Sequence, residues 1–329
     1  PGRRLLIGGM ALPFLIPVYV SAIAWIDLLG TNGLAHRALA SLFGLDWNLP
    51  SIYTPCGAIL VSAFAYYPVV ALTTGLALRR FDRRLEEAAR LAVSRRQALC
   101  GIILPLLAPS IAGGTLIVFL LALVGFSAPS LLQVNTYPVE SFTLFNAFYD
   151  FSAATAHALP LVACGALAFG LAYLGRRGAW LTGAARRAAN HEAGDGLAPP
   201  PLVKWFAGVG VWTLVLASAV APLATLVWRS LPFTSYLEVW VTARDEILTT
   251  VVVGVGSATA ITPLAFMLTY WGRASSAFAS LRLLGLITFL ISGPVLGVTL
   301  IAIWNRPGLA SWVYAVSYTH LTLPTNREV

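Results

Sequence analysis

Residues 53–78 read Y-T-P-C-G-A-I-L-V-S-A-F-A-Y-Y-P-V-V-A-L-T-T-G-L-A-L without a single charge, and Arg79 and Arg80 follow at once. A run of this length decides the fold class. The hydrocarbon core of a bilayer is about 30 Å thick, and a helix needs about 20 apolar residues to cross it. The stretch lacks the strict alternation of a barrel strand. In lipid, a backbone must satisfy its own hydrogen bonds, which a helix does within one segment. Six more stretches without Asp, Glu, Lys or Arg lie at 5–26, 111–126, 153–174, 205–228, 247–271 and 283–304. The sequence therefore predicts an all-α polytopic membrane protein with about seven transmembrane helices.

Composition agrees with this reading. Hydrophobic residues make up 58% and charged residues 10% of the chain, whereas soluble domains carry about 25% charged residues. A formal net charge of +8 could point to nucleic acid, but the basic residues sort by loop. If 5–26 enters from the cytoplasm, one side holds sixteen Lys and Arg, grouped at 3–4, 79–96, 176–187, 204, 273 and 282. The other side holds four, Arg37, Arg229, Arg244 and Arg306, and Arg327 near the C terminus completes the 21. This excess is the positive-inside bias, and it orients the first run from cytoplasm to outside. The charge follows from membrane topology, so the lipid bilayer is an expected partner and nucleic acid is not.

Several candidate chemistries are absent or weak. Lys204 is the only lysine and no phosphate-binding G-x-x-x-x-G-K-[ST] loop surrounds it, so nucleotide hydrolysis would require a partner. Cys56, Cys100 and Cys164 show no C-x-x-C spacing and read as small buried hydrophobes. His36, His157 and His191 stand apart, without a second ligand at metal spacing. Gly254-Val255-Gly256 lies inside an apolar run and reads as a site of close helix packing. No cluster of nucleophiles, acids or metal ligands is found in the runs, and no enzymatic activity is expected.

The stretch 79–109, R-R-F-D-R-R-L-E-E-A-A-R-L-A-V-S-R-R-Q-A-L-C-G-I-I-L-P-L-L-A-P, is unusual for a loop between membrane runs. Asp82 stands where a helix N-cap belongs, with Leu85, Ala88, Ala89 and Leu91 on one face and Glu86, Glu87 and Arg90 on the others. Ser94 and Gln97 have capping-box spacing, which predicts a second helix from Arg95 that Pro105 interrupts.

The pattern E-E-A-A-R … I-I-L-P resembles the EAA loop of the permease subunits of binding-protein-dependent ABC importers. Counting back from Leu104-Pro105, the family spacing places its Ile at Ile102, its Gly at Ala92 and its Glu at Glu86. The letters E-A-A match one residue later, at Glu87-Ala88-Ala89, and the family Gly is replaced by Ala92. The resemblance implies a MetI-like permease fold and a first loop helix that seats on an ABC ATPase subunit. It also implies a periplasmic solute-binding protein as partner, ATP bound by the ATPase and no cofactor in this chain, in a bacterial inner (cytoplasmic) membrane. Residues 27–34 and 142–151 resemble ferric-iron-type permeases, including relatives for thiamine, which are often two fused units.

A fused organisation fits the chain. The break at 175–201, rich in Gly, Ala, Pro and charge, reads as a cytoplasmic linker. Arg4-Leu5-Leu6 leading through Pro17 to Trp25 is echoed by Arg282-Leu283-Leu284 leading through Pro294 to Trp304. We therefore expect the back part of a first permease unit at 1–177, a linker at 178–203 and the front part of a second unit at 204–315. Residues 316–329 resemble translated sequencing adapter, so the sequence is expected to be an incomplete piece of a longer permease. Asn135, Tyr137, Asn146, Tyr149 and Asp150 are candidates for the outer side, lining the mouth, touching a binding protein or anchoring at the interface. The alternative, a secondary transporter or channel driven by an ion gradient, should carry ionisable residues at mid-membrane. Asp27, Asp150, Asp245 and Glu246 fall at run ends instead.

Overall fold

The computed structural model describes residues 2–31, 33–43, 51–79, 93–148, 151–174, 201–231 and 234–271, together with 293, 296–297 and 300. The described elements are helices. In chain order they are α1 (Gly2–Leu15), α2 (Val18–Leu29), α3 (Leu34–Phe43) and α4 (Pro55–Arg79). Helix α5 covers 95–124 in three pieces: Arg95–Gln97, a π-helical segment Ala98–Ile103, and Leu104–Val124. Then come α6 (Ser127–Leu131), α7 (Tyr137–Phe148) and α8 (Phe151–Leu174). Helix α9 covers 201–229 as Pro201–Val215, a π segment Leu216–Val220 and Ala221–Arg229, followed by α10 (Thr234–Thr242) and α11 (Arg244–Trp271).

Five stretches among the described residues are long and apolar enough to cross a membrane: Val18–Ser41, Pro55–Leu78, Ala98–Val124, Trp205–Arg229 and Arg244–Tyr270. The chain is thus an all-α, multi-span bundle. Of the expected seven runs, 283–304 is described only at 293, 296–297 and 300. The run at 153–174 becomes α8, whose apolar centre is Leu159–Leu171. The run expected as one span at 5–26 is instead broken between Leu15 and Val18. Pro17 causes the break: it has no N–H for the helical ladder, and its own carbonyl caps the new helix by accepting from Val20 and Ser21. Val18–Ser41 also turns inside itself, because Gly30 is extended (ψ 171°) and a Cβ there would overlap the Ile26 carbonyl. Helix α2 alone, 12 residues long, reaches only about 18 Å. Helices α1 and α2 follow each other as one kinked helix over 2–29.

Their neighbours fix a direction. Helix α1 packs on the Pro201–Val215 piece of α9 and on its π segment, while α2 packs on Ala221–Arg229. The kinked helix 2–29 and the kinked helix 201–229 therefore run parallel, side by side. Helix α4 packs tightly on α5 and α8 on α5.

The core gathers at one end of the bundle, where Ala22, Trp25, Ile52, Ala58, Val61, Ala128 and Leu132 are buried together. Trp25 stacks on Phe64, with centroids 5.2 Å apart. The short helix α6 wedges between α2 and α4, and fully buried Leu132 closes it. The chain reverses after it through Gln133, whose φ of 55° is left-handed, while Val134 N–H donates to the Pro129 carbonyl at 2.9 Å.

Two sequence expectations are corrected. Cys56, Cys100 and Cys164 are exposed rather than buried, because the surface of such a bundle faces apolar lipid and sets no premium on burying a thiol. Gly254 and Gly256 have nothing within 4 Å of a Cβ position, so among the described residues they support no close packing. Helix α11 contacts α10, and among the described residues its spanning window is otherwise unburied.

Candidate coupling and pathway elements

Asp82, Glu86, Glu87, Ala88, Ala89, Arg90 and Ala92 lie outside the described residues, so the first arm of the expected docking loop has no geometry here. The second arm does. Ser94 N–H donates to Gln97 Oε1 at 3.2 Å and Ser94 Oγ donates to the same atom at 2.8 Å. Ala98 N–H donates to the Ser94 carbonyl at 2.8 Å. The helix starts where the capping-box spacing placed it, with the glutamine reaching back to the cap residue.

Pro105 does not interrupt that helix, contrary to the sequence expectation. The segment Ala98–Ile103 is wound as a π-helix, and Pro105 then occupies the first turn of Leu104–Val124. A π turn shifts the hydrogen-bond ladder by one residue, and the first turn of a new helical piece tolerates a residue without N–H. Sequence reasoning treated proline as a stop and missed this accommodation. The consequence is one continuous helix from the loop into the membrane bundle. Ile102 is half-buried, Ile103 and Leu107 are buried, and Leu104 and Pro105 are exposed on the other face.

The inner half of that lever is clamped. Gly113 and Gly114 are buried in α5. A Cβ on Gly114 would overlap Thr73 Oγ1 of α4 and lie 3.1 Å from Val70 Cα. Thr73 Oγ1 is held in place by donating to the Val69 and Val70 carbonyls at 3.0 Å each. Small residues that let two backbones approach are the usual means of joining helices in lipid, where apolar burial gives no drive. Helix α5 and helix α4 are thus in direct contact at Gly114.

At the end of the bundle expected to face outside, the structure describes three of the five candidates. Asn135, Tyr137 and Asn146 are exposed. Tyr137 packs against the His157 ring of α8, with centroids 5.7 Å apart. Tyr137 and Asn146 lie nine positions apart on α7, which at 3.6 residues per turn puts them about 180° apart around it. They line no common surface. Tyr149 and Asp150 fall outside the described residues. Among the described residues no group of three or more His, Cys, Asp or Glu is placed to hold a metal ion.

Sequence reasoning also missed a polar set between 2–29 and 201–229. The buried face of α9 is a stripe of Val215, Ser218, Ala219, Pro222 and Thr225, at spacings that keep one side of a helix turned inward. Ser218 Oγ is 3.4 Å from the Tyr67 hydroxyl of α4. A Cβ on Gly9 would meet Val215 at 3.3 Å. At the end of the stripe Arg229 Nε donates to Asp27 Oδ1 at 2.5 Å. The available signal was the depth of these charges: each sits at the C-terminal end of its run, with opposite sign.

Comparison with known proteins gives a consistent picture. The profile of the family described as "Binding-protein-dependent transport system inner membrane component" matches residues 2–178. The sulfate transport system permease protein CysT of Escherichia coli (strain K12) is 31% identical over 173 residues, covering 51% of this chain and 61% of that protein. The molybdenum transport system permease protein ModB of the same strain is 31% identical over 150 residues, covering 45% and 63%. The ferric transport system permease protein FbpB of Actinobacillus pleuropneumoniae is 32% identical over 123 residues, covering 37% and 18%. The chain thus spans less than two thirds of the length of these relatives. No solved structure matches it.

Proposed function

We propose, from the premise that this chain belongs to the family of binding-protein-dependent transport system inner membrane components, that it forms a gated solute pathway driven by ATP. The chain is a permease component of an ABC-type importer. In the proposed mechanism ATPase subunits bind and hydrolyse ATP, and a periplasmic binding protein delivers solute. Asp82, Glu86, Glu87, Ala88, Ala89, Arg90 and Ala92 form the surface that seats on the ATPase. Small Ala88 and Ala89 permit close approach, and the flanking charges pair with the rim of the partner's cleft. Ile102, Leu104 and Pro105 carry the motion onward.

The observation that carries this reading is the unbroken helix from the capped Ser94 turn through the π segment into Leu104–Val124. A loop that ends in a stiff membrane helix clamped to its neighbour is suited to convert docking force into helix movement. Replacing Ala89 by Trp in the full permease should cut uptake at least about tenfold while leaving the permease in the membrane, the signature of a blocked docking surface. Unchanged uptake would remove the loop from this role.

The solute is proposed to be a small polar or inorganic ion. The likeness of 27–34 and 142–151 to ferric-iron-type permeases favours ferric iron, and the sulfate and molybdenum relatives favour an oxyanion. Uptake assays offering ferric iron, sulfate and molybdate separately decide between them. The organisation we favour keeps 1–177 as part of one unit, 178–203 as linker and 204–315 as part of a second unit, in a MetI-like arrangement in a bacterial inner membrane. The parallel packing of α9 beside 2–29 supports the linker returning to its own side of the membrane.

A further inference from the structure

Asp27 is placed where a carboxylate is expensive. Its side chain is 8% exposed, its neighbours Trp25, Ile26 and Leu28 belong to the apolar core, and it stands in the last turn of α2, where the negative end of the helix dipole opposes it. Oδ2 is buried without a hydrogen-bond partner. Oδ1 is held by Arg229, which lies 202 positions later in the chain, ends α9 and remains 60% exposed. A buried ion pair rarely adds net stability over apolar packing, but losing one partner leaves a costly unpaired charge. The surroundings of the Asp27 carboxylate depend on whether the two helices stay together. With the helices together it is satisfied at Oδ1, and with them apart the carboxylate needs water.

Resting on the reading of the chain as a membrane conduit, we infer that Asp27 and Arg229 form a releasable latch across the outer end of the seam between 2–29 and 201–229. The latch holds closed the face of α2 that carries Asp27. Ala24, one helical turn inward on that face, is fully buried while the latch is closed. The asymmetry of exposure sets how it opens. Arg229 already meets the surroundings, so release consists of α9 carrying the guanidinium away and water reaching Asp27.

The test uses the chain in cell membranes with Cys56, Cys100 and Cys164 replaced by Ser and a single Ala24→Cys probe. A membrane-impermeant maleimide applied to intact cells should label the probe slowly. Arg229→Gln should speed labelling about tenfold or more, because the unpaired buried carboxylate then favours the open, watered state. Arg229→Lys should stay near the parent rate, and the exchange of Asp27→Arg with Arg229→Asp should restore slow labelling. Parent-rate labelling in Arg229→Gln, or an exchange variant as fast as the single one, overturns the latch. An Ala65→Cys probe, in the buried face of α4, checks the fold. If it too becomes labelled in Arg229→Gln, the pair holds the whole fold and the proposal is overturned. If the Ala24→Cys acceleration appears only in inverted vesicles, the latch stands and the assigned sidedness fails.

Discussion

The α4–α5 seam and helix α11 are built from the same residue types and end in opposite states. Both carry glycine pairs within apolar runs, Gly113-Gly114 in one and Gly254-Val255-Gly256 in the other. In α5 the glycines are buried and Gly114 is in direct contact with α4, while in α11 nothing lies within 4 Å of either position and the spanning window is 0% buried. A small residue in a membrane helix offers close approach; it does not choose the partner. In α5 the partner at the crossing is α4, where Thr73 Oγ1 donates to the Val69 and Val70 carbonyls and lies against Gly114. No such neighbour faces α11 among the described residues.

The largest effect that sharpens this contrast is expected from Gly114→Leu, which drives a whole side chain into Val70 and Thr73 and should cost about 3 kcal/mol or more. The folded fraction in detergent unfolding titrations should collapse relative to the parent. Gly114→Ala adds one carbon at the same place and should cost about 1–3 kcal/mol. Combining it with Thr73→Ala should recover part of that loss, and a strictly additive double variant would show that the two side chains do not meet. Ser94→Ala removes the hydroxyl that donates to Gln97 and should cost about 1 kcal/mol of local helix stability, read as faster amide exchange at 95–98. The smallest effect is expected in α11, where Gly254→Ala and Gly256→Ala should each stay within about 0.5 kcal/mol of the parent. A large loss there would mean that a partner covers these glycines in the membrane.

Much of the fold was legible because lipid imposes a simple rule, long uncharged runs as helices, and α4 and α8 keep nearly the boundaries of 53–78 and 153–174. Prolines were harder to read. Pro17 breaks its run and Pro105 does not, although both interrupt apolar sequence. The difference is the backbone around them, a free carbonyl cap at Pro17 and a π turn before Pro105, neither of which is written in residue type. The start of the second loop helix was legible because capping is local and Ser94 and Gln97 lie within one turn. The Asp27–Arg229 pair was not, because it joins segments 202 positions apart and depends on which helices become neighbours. The cysteines misled for a related reason: burial rules drawn from water-soluble proteins do not apply where the outside is apolar.

In the proposed mechanism the 79–109 loop docks on an ATPase subunit and drives α5. The most direct measurement is cross-linking from an Ala89→Cys probe, with the three native cysteines replaced, to a co-expressed ATPase subunit carrying cysteines around its cleft. A cross-linked product should form with the probe at 89 and be lost when the single cysteine is moved to Asn146, which the charge bias places on the opposite side of the membrane. Cross-linking from 146 and none from 89 would contradict it.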